Sequence, residues 1–208
     1  MATRKTPLLY TVEEYLAIDR HSQERHEYLD GYIFAMAGES EAHADISMNL
    51  GVIIGSQLRG TACRARAKDT KVRSGPTPRR GTMAGLYSYP DLVVICGEPQ
   101  YHDRHRDVVL NPTVIIEVLS ESTESFDRGE KYERYRTWNI TLTDYLLVSQ
   151  TQPVIEHFIR QTDGGWISYL YSGLEQKLFI KSINCELSLP DVYERVVFPP
   201  EETEEEEA

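Results

Sequence analysis

Apolar runs bounded by turn signals carry most of the structural information in this chain. Residues 89–95 (Tyr-Pro-Asp-Leu-Val-Val-Ile) and 113–119 (Thr-Val-Ile-Ile-Glu-Val-Leu) have the length and β-branched content of buried strands. Residues 143–148 repeat the pattern, and 154–160 with 166–170 form a further pair across Asp163-Gly164-Gly165. Two short runs, 178–180 and 187–189, read as edge elements. Residues 26–29 and 32–36 flank Asp30-Gly31, a strong hairpin signal because both turn positions require positive φ. Residues 62–68 and 70–73 read as short polar strands, and the glycine- and proline-rich residues 74–81 as a loop.

Helical periodicity interrupts these strands three times. Thr11 and Glu14 have the spacing of a capping box, which predicts a helix to about Ile18. Ile46, Leu50, Ile53, Ile54 and Leu58 recur at three and four, which predicts a long helix from Ser40 ending near Gly60. Ser120, Ser122 and Thr123 read as the cap of a third helix over 126–138, with Tyr132, Tyr135 and Trp138 as core packing on one face. The order of elements predicts an α/β or α+β fold, a sheet with helices on its faces. We expect an arm over 1–11, a single domain over 12–198 and a solvated acidic tail over 199–208.

Composition narrows the class. With 208 residues, 40% hydrophobic and 26% charged, the chain can bury a full core without staples. No run approaches a membrane span, and the first residues lack an apolar signal core, so a cytoplasmic protein is expected. Cys63, Cys96 and Cys185 lie far apart in no zinc-ligand spacing; Cys96 reads as a small core residue, and neither a disulfide framework nor a zinc site is expected. Six of the eleven net negative charges are glutamates of the tail, and the −5 that remains argues against indiscriminate DNA binding by the whole surface.

The chemistry centres on two acids, Asp91 and Glu117, each within or beside an apolar run. A carboxylate there is costly to bury unless something pairs with it, and two on neighbouring strands suggest a shared divalent cation. Asp127, Lys131 and Tyr135 step by four along the helix that follows Glu117, so Lys131 can reach back toward the strand end. Two carboxylates and one ammonium are the set that phosphodiester hydrolysis uses: metal ligation, activation of water and neutralisation of developing charge. Each residue has a plainer reading beside this one. Asp91 could cap a turn, Glu117 could pair with Arg64 or Arg66, and Lys131 could form a surface pair with Asp127. Glu27 could face solvent, and His43 could be a surface or capping histidine. His102 and His105 read as solvated loop residues. Arg64, Arg66, Lys68, Lys71, Arg73, Arg79 and Arg80 form a basic stretch interrupted only by Asp69, and Arg64, Arg66 and Lys68 alternate onto one strand face as candidate phosphate contacts.

Pro90-Asp91 followed by Glu117 in an apolar strand resembles the PD-(D/E)-x-K nuclease superfamily. More narrowly, residues 112–123 followed by Asp127, Lys131 and Tyr135 resemble the Uma-type restriction endonuclease family. Residues 28–31, His43 and residues 144–148 match as well, so the likeness covers about 12–189. The resemblance implies a restriction endonuclease-like mixed sheet flanked by helices, with Mg²⁺ (Mn²⁺ as a substitute) held by Asp91, Glu117 and the Val118 carbonyl. It implies an endonuclease acting on nucleic acid, DNA above all; apart from the resemblance, a homodimer is the default expected of a soluble protein, and no membrane partner is expected. The superfamily lysine two residues after the second acid is Leu119 here; the narrower family places that role at Lys131 and an additional acid at Glu27. The alternative is a nuclease scaffold without catalysis that binds nucleic acid or protein.

Overall fold

The computed structural model describes residues 8–36 and 38–200. The first arm residues and the acidic run at 201–208 lie outside the described residues. The chain forms α1 (Val12–His21), β1 (His26–Leu29), β2 (Tyr32–Ala35), α2 (Glu41–Gln57), β3 (Cys63–Ala67), β4 (Lys71–Ser74), β5 (Leu86–Ser88), β6 (Leu92–Cys96), β7 (Val108–Val109) and β8 (Val114–Leu119). There follow α3 (Glu124–Phe126), a π turn (Asp127–Lys131), α4 (Tyr132–Trp138), β9 (Asp144–Ser149), β10 (Val154–Arg160), β11 (Trp166–Ser172), β12 (Lys177–Ile180), β13 (Cys185–Ser188) and α5 (Leu189–Val192). No described helix is long and apolar enough to cross a membrane.

The mixed α/β fold is built on a six-stranded sheet in the order β11-β10-β9-β8-β6-β3. β8 runs parallel to β9 and antiparallel to β6. Every residue of β8 and β9 is buried, which is why their sequences show continuous apolar runs rather than alternation. On one face, Ile46, Leu50 and Ile54 of α2 pack against Leu92, Val94, Ile116 and Val118. On the other, Tyr135, Leu142 and Tyr145 cover Val93, Ile95, Ile115 and Leu119. A second sheet, β2-β1-β5-β4-β7, carries α1 against Tyr28 and Tyr87.

The predicted hairpin forms at Asp30-Gly31, with φ of 45° and 99°, and the Thr11–Glu14 capping box closes α1 as read. Three expectations are corrected. Cys63 and Cys96 are opposite partners in the β3–β6 register and are joined as a disulfide; residues 33 apart in sequence meet only through strand pairing, so their spacing concealed it. Trp138 is 47% exposed rather than core, because six residues at 3.6 per turn place it about 120° round the helix from Tyr132. Thr123 makes no side-chain cap; the Ser120 carbonyl accepts the Thr123 and Glu124 amides instead. The two polar strands 62–68 and 70–73 also part company: β3 joins the large sheet and β4 the small one.

Candidate active site

Asp91 ends the turn after Pro90 and leads into β6. The pairing of Leu92 with Ile116, continued by one residue, sets Asp91 opposite Glu117. Cross-strand partners share a face, so both carboxylates stand on the same side of the large sheet. The Val118 amide donates to Asp91 Oδ2 at 2.7 Å, and His43 Nε2 lies 2.8 Å from Oδ1. His43 comes from the first turn of α2, where Ser40 accepts its backbone amide as the N-cap. Lys68, one residue past β3, stands 4.0 Å from Asp91 Oδ1 and forms an ion pair with Glu39.

Glu117 sits in the middle of β8, only 3% exposed, and Lys131 is 5% exposed. Lys131 Nζ is 3.1 Å from Glu117 Oε1, 3.1 Å from Asp127 Oδ1 and 3.5 Å from Glu27 Oε1. The wider π turn ends at this lysine; the Asp127 backbone carbonyl accepts the buried Tyr145 hydroxyl at 2.9 Å. Such turns recur where a helix presents a functional group. The Tyr135 hydroxyl bonds Glu117 Oε1 at 3.2 Å and Ser88 Oγ at 2.7 Å. Glu27 accepts the Tyr89 amide at 3.0 Å, and the Tyr89 hydroxyl donates to Asp19, which also pairs with buried Lys71 at 2.6 Å. A buried ion pair thus anchors the residue that holds Glu27.

Burial pushes the Glu117 carboxyl well above the usual carboxylate range; Lys131 opposes this, while Asp127, Asp91 and Glu27 reinforce it. For Lys131, burial disfavours the charge, but Glu117, Glu27 and Asp127 together outweigh it and hold the ammonium well above its ordinary value. The lysine is therefore a fixed cation at neutral pH.

Glu27, His43, Asp91, Glu117, Val118 and Lys131 all line one cavity of about 1020 Å³. Arg64 and Arg66 do not line it: Arg64 is exposed, and Arg66 donates to the Tyr101 hydroxyl at 2.6 Å. His102 and His105 are also outside it. Glu39, Tyr89 and Tyr135 were missed as site residues in the sequence. The periodicity of Tyr135 signals packing and not a hydroxyl bonded to Glu117, and nothing local to Glu39 signals an ion pair with a lysine 29 residues on.

Six carboxylates (Glu27, Glu39, Asp91, Glu117, Glu121 and Asp127) and one lysine line this cavity. All the acidic donors are hard oxygens, which suits Mg²⁺ or Mn²⁺. Among the described residues no group of three or more His, Cys, Asp or Glu side chains stands ready-made for a metal, so a cation held by Asp91 and Glu117 would complete its shell from water, backbone or substrate.

A mixed sheet with acids converging across two adjacent strands defines a nuclease-like α/β domain. The chain belongs to the Uma2 family, described as "Putative restriction endonuclease", which matches residues 12–191. Two uncharacterized proteins of Synechocystis sp. are similar to it. One is 34% identical over 89% of this chain and 92% of the relative, the other 30% identical over 78% and 87%. The fold also matches the crystal structure of "a putative nuclease belonging to DUF820" from Anabaena variabilis. That match has a TM-score of 0.69 and 14% identity, covering 88% of this chain and 97% of the other.

Proposed function

We propose that the chain is a Mg²⁺-dependent endonuclease that hydrolyses phosphodiester bonds in DNA. The observation that carries this reading is the chemistry of the cavity wall: six acidic side chains converge there, a set of hard oxygen donors that suits a divalent cation and, without one, is a poor surface for a phosphate backbone. Asp91 and Glu117, same-face partners across β6 and β8, are the residues that would hold it, with the backbone at Val118 beside them. Bound there, a divalent ion supplies Lewis acidity and a lowered pKa for water.

The chain's own residues supply the rest. Lys131, held cationic by three acids, stabilises charge that builds on the phosphate. Glu27, fixed by the Tyr89 amide, is placed to accept a proton from the attacking water. His43 orients Asp91 through Oδ1, and the Val118 amide orients it through Oδ2. Lys68, beside Asp91, is the basic-strand residue nearest the site and the one placed to meet a flanking phosphate.

A second reading, a scaffold that binds without cutting, draws on the same contacts: both Asp91 oxygens already have protein partners, and Glu117 already has Lys131 and Tyr135. Cleavage of plasmid and linear DNA in Mg²⁺ by wild type, Asp91→Asn and Glu117→Gln separates the two. Activity in wild type and a loss of at least about 100-fold in both variants supports the nuclease. No cleavage together with no calorimetric Mg²⁺ or Mn²⁺ binding supports the scaffold.

A further inference from the structure

An aromatic side chain stands exposed beside the candidate acids. In the β1–β2 register Glu27 pairs directly with Phe34, so the two share a face. Ile33, the intervening residue, packs inward against the Tyr15–Tyr28 cluster, which turns Tyr32 and Phe34 the other way. Phe34 is 51% exposed and Tyr32 43% exposed, their ring centroids 6.4 Å apart. Phe34 lines the cavity together with Met36, and neither belongs to a core cluster; Phe126, also in the wall, packs against the core around Tyr135. An aromatic left half in water next to reactive carboxylates has no packing rationale, and exposed apolar groups of this kind mark binding surfaces.

Two further features select the ligand. The cavity is about 1020 Å³ in volume. A base within a duplex has both faces stacked on its neighbours, so only a flipped or single-stranded base can lay a face on Phe34. The acidic lining gives the uncharged face of a base no repulsion, and Phe34 offers it a π surface on the side of the cavity that Glu27 occupies.

We infer that Phe34, with Tyr32 beside it, is a stacking platform for an unpaired nucleobase, so that the site takes single-stranded or locally unpaired DNA in preference to continuous duplex. This rests on the nuclease reading for its substrate. The platform is tested by fluorescence anisotropy of the full chain in Ca²⁺, with a short labelled single strand, an abasic strand of equal length, and the matching duplex. Phe34→Ala, at a half-exposed position, is expected to weaken binding of the base-bearing strand by about 5- to 100-fold and the abasic strand by less than about twofold, with Phe34→Trp restoring it. Wild type is expected to bind the single strand more tightly than the duplex. Equal losses on base-bearing and abasic strands, no effect of Phe34→Ala, or a duplex bound as tightly as the single strand would overturn the inference. So would a change of sedimentation mass in Phe34→Ala, which would assign the patch to a protein contact. Failure of wild type to bind any of the three probes removes the inference together with its nucleic-acid substrate. Binding unaffected by Phe34→Ala, with Mg²⁺-dependent cleavage retained, removes the platform alone.

Discussion

Lys131 Nζ lies 3.1 Å from Glu117 Oε1, the two joined across the boundary between a π turn and the central strand of the large sheet, and both are almost fully buried. Three acids surround this one ammonium, so removing the cation and removing one anion have opposite consequences.

Lys131→Met keeps the stem and deletes the charge, leaving buried Glu117 and Asp127 and half-buried Glu27 without this counter-charge. A loss of about 3–5 kcal/mol in urea unfolding is expected, the scale for breaking a buried pair. Glu117→Gln removes one deeply buried acid while Lys131 keeps Asp127 and Glu27. Its unfolding midpoint is expected to equal or exceed that of wild type while DNA cleavage is lost, as for residues retained for activity at a cost in stability. Equal destabilisation by both variants would make Glu117 a structural residue.

Acid stability should depend on the α1 anchor. For Asp107, burial would raise the carboxyl, but Arg20 and Lys71 outweigh it and hold it far below its ordinary value of 3.8. A depressed folded-state value contributes stability that is complete above the unfolded value and is lost as pH falls through the folded one. Wild type should therefore lose stability steadily below about pH 4. Asp107→Asn should be less stable than wild type at pH 7 and show a shallower decline below pH 4. Parallel stability–pH curves for the two proteins would contradict this.

Reduction should matter even though the large sheet is well buried. The Cys63–Cys96 bond closes a loop of sequence separation 33, for which chain entropy gives roughly 3–4 kcal/mol. Guanidinium unfolding with and without dithiothreitol is expected to show a lower midpoint in the reduced protein. An unchanged midpoint would mean that the strand pairing alone holds β3 to β6.

Much of this architecture could be read from residue patterns, and the exceptions have physical causes. β8 and β9 announced themselves because burial on both faces leaves an unbroken apolar run, and the β1–β2 turn because Asp30-Gly31 supplies two positive-φ residues. Asp91 and Glu117 stand out in the sequence because charge in apolar surroundings is conspicuous, whereas Lys131 lies in a polar stretch and is picked out by its step of four from Asp127 and by the family resemblance. The π turn was not: Asp127, Lys131 and Tyr135 fit an α-helical step of four, which does not distinguish an α-helical from a widened turn. The Cys63–Cys96 pair and the Glu39–Lys68 ion pair depend on long-range register, which no local window contains. Tyr135 was seen as a ring to be packed, while its hydroxyl, which ties Glu117 to Ser88, carries no periodic signal.

The central claim is that Asp91 and Glu117 grip one divalent ion between β6 and β8. Crystals soaked in Mn²⁺ and measured at the manganese absorption edge test it directly. An anomalous peak within about 2–2.5 Å of carboxylate oxygens from both residues, absent in Glu117→Gln, is the predicted result. No peak at that position in fully soaked wild-type crystals, or a peak that persists unchanged in Glu117→Gln, would contradict it.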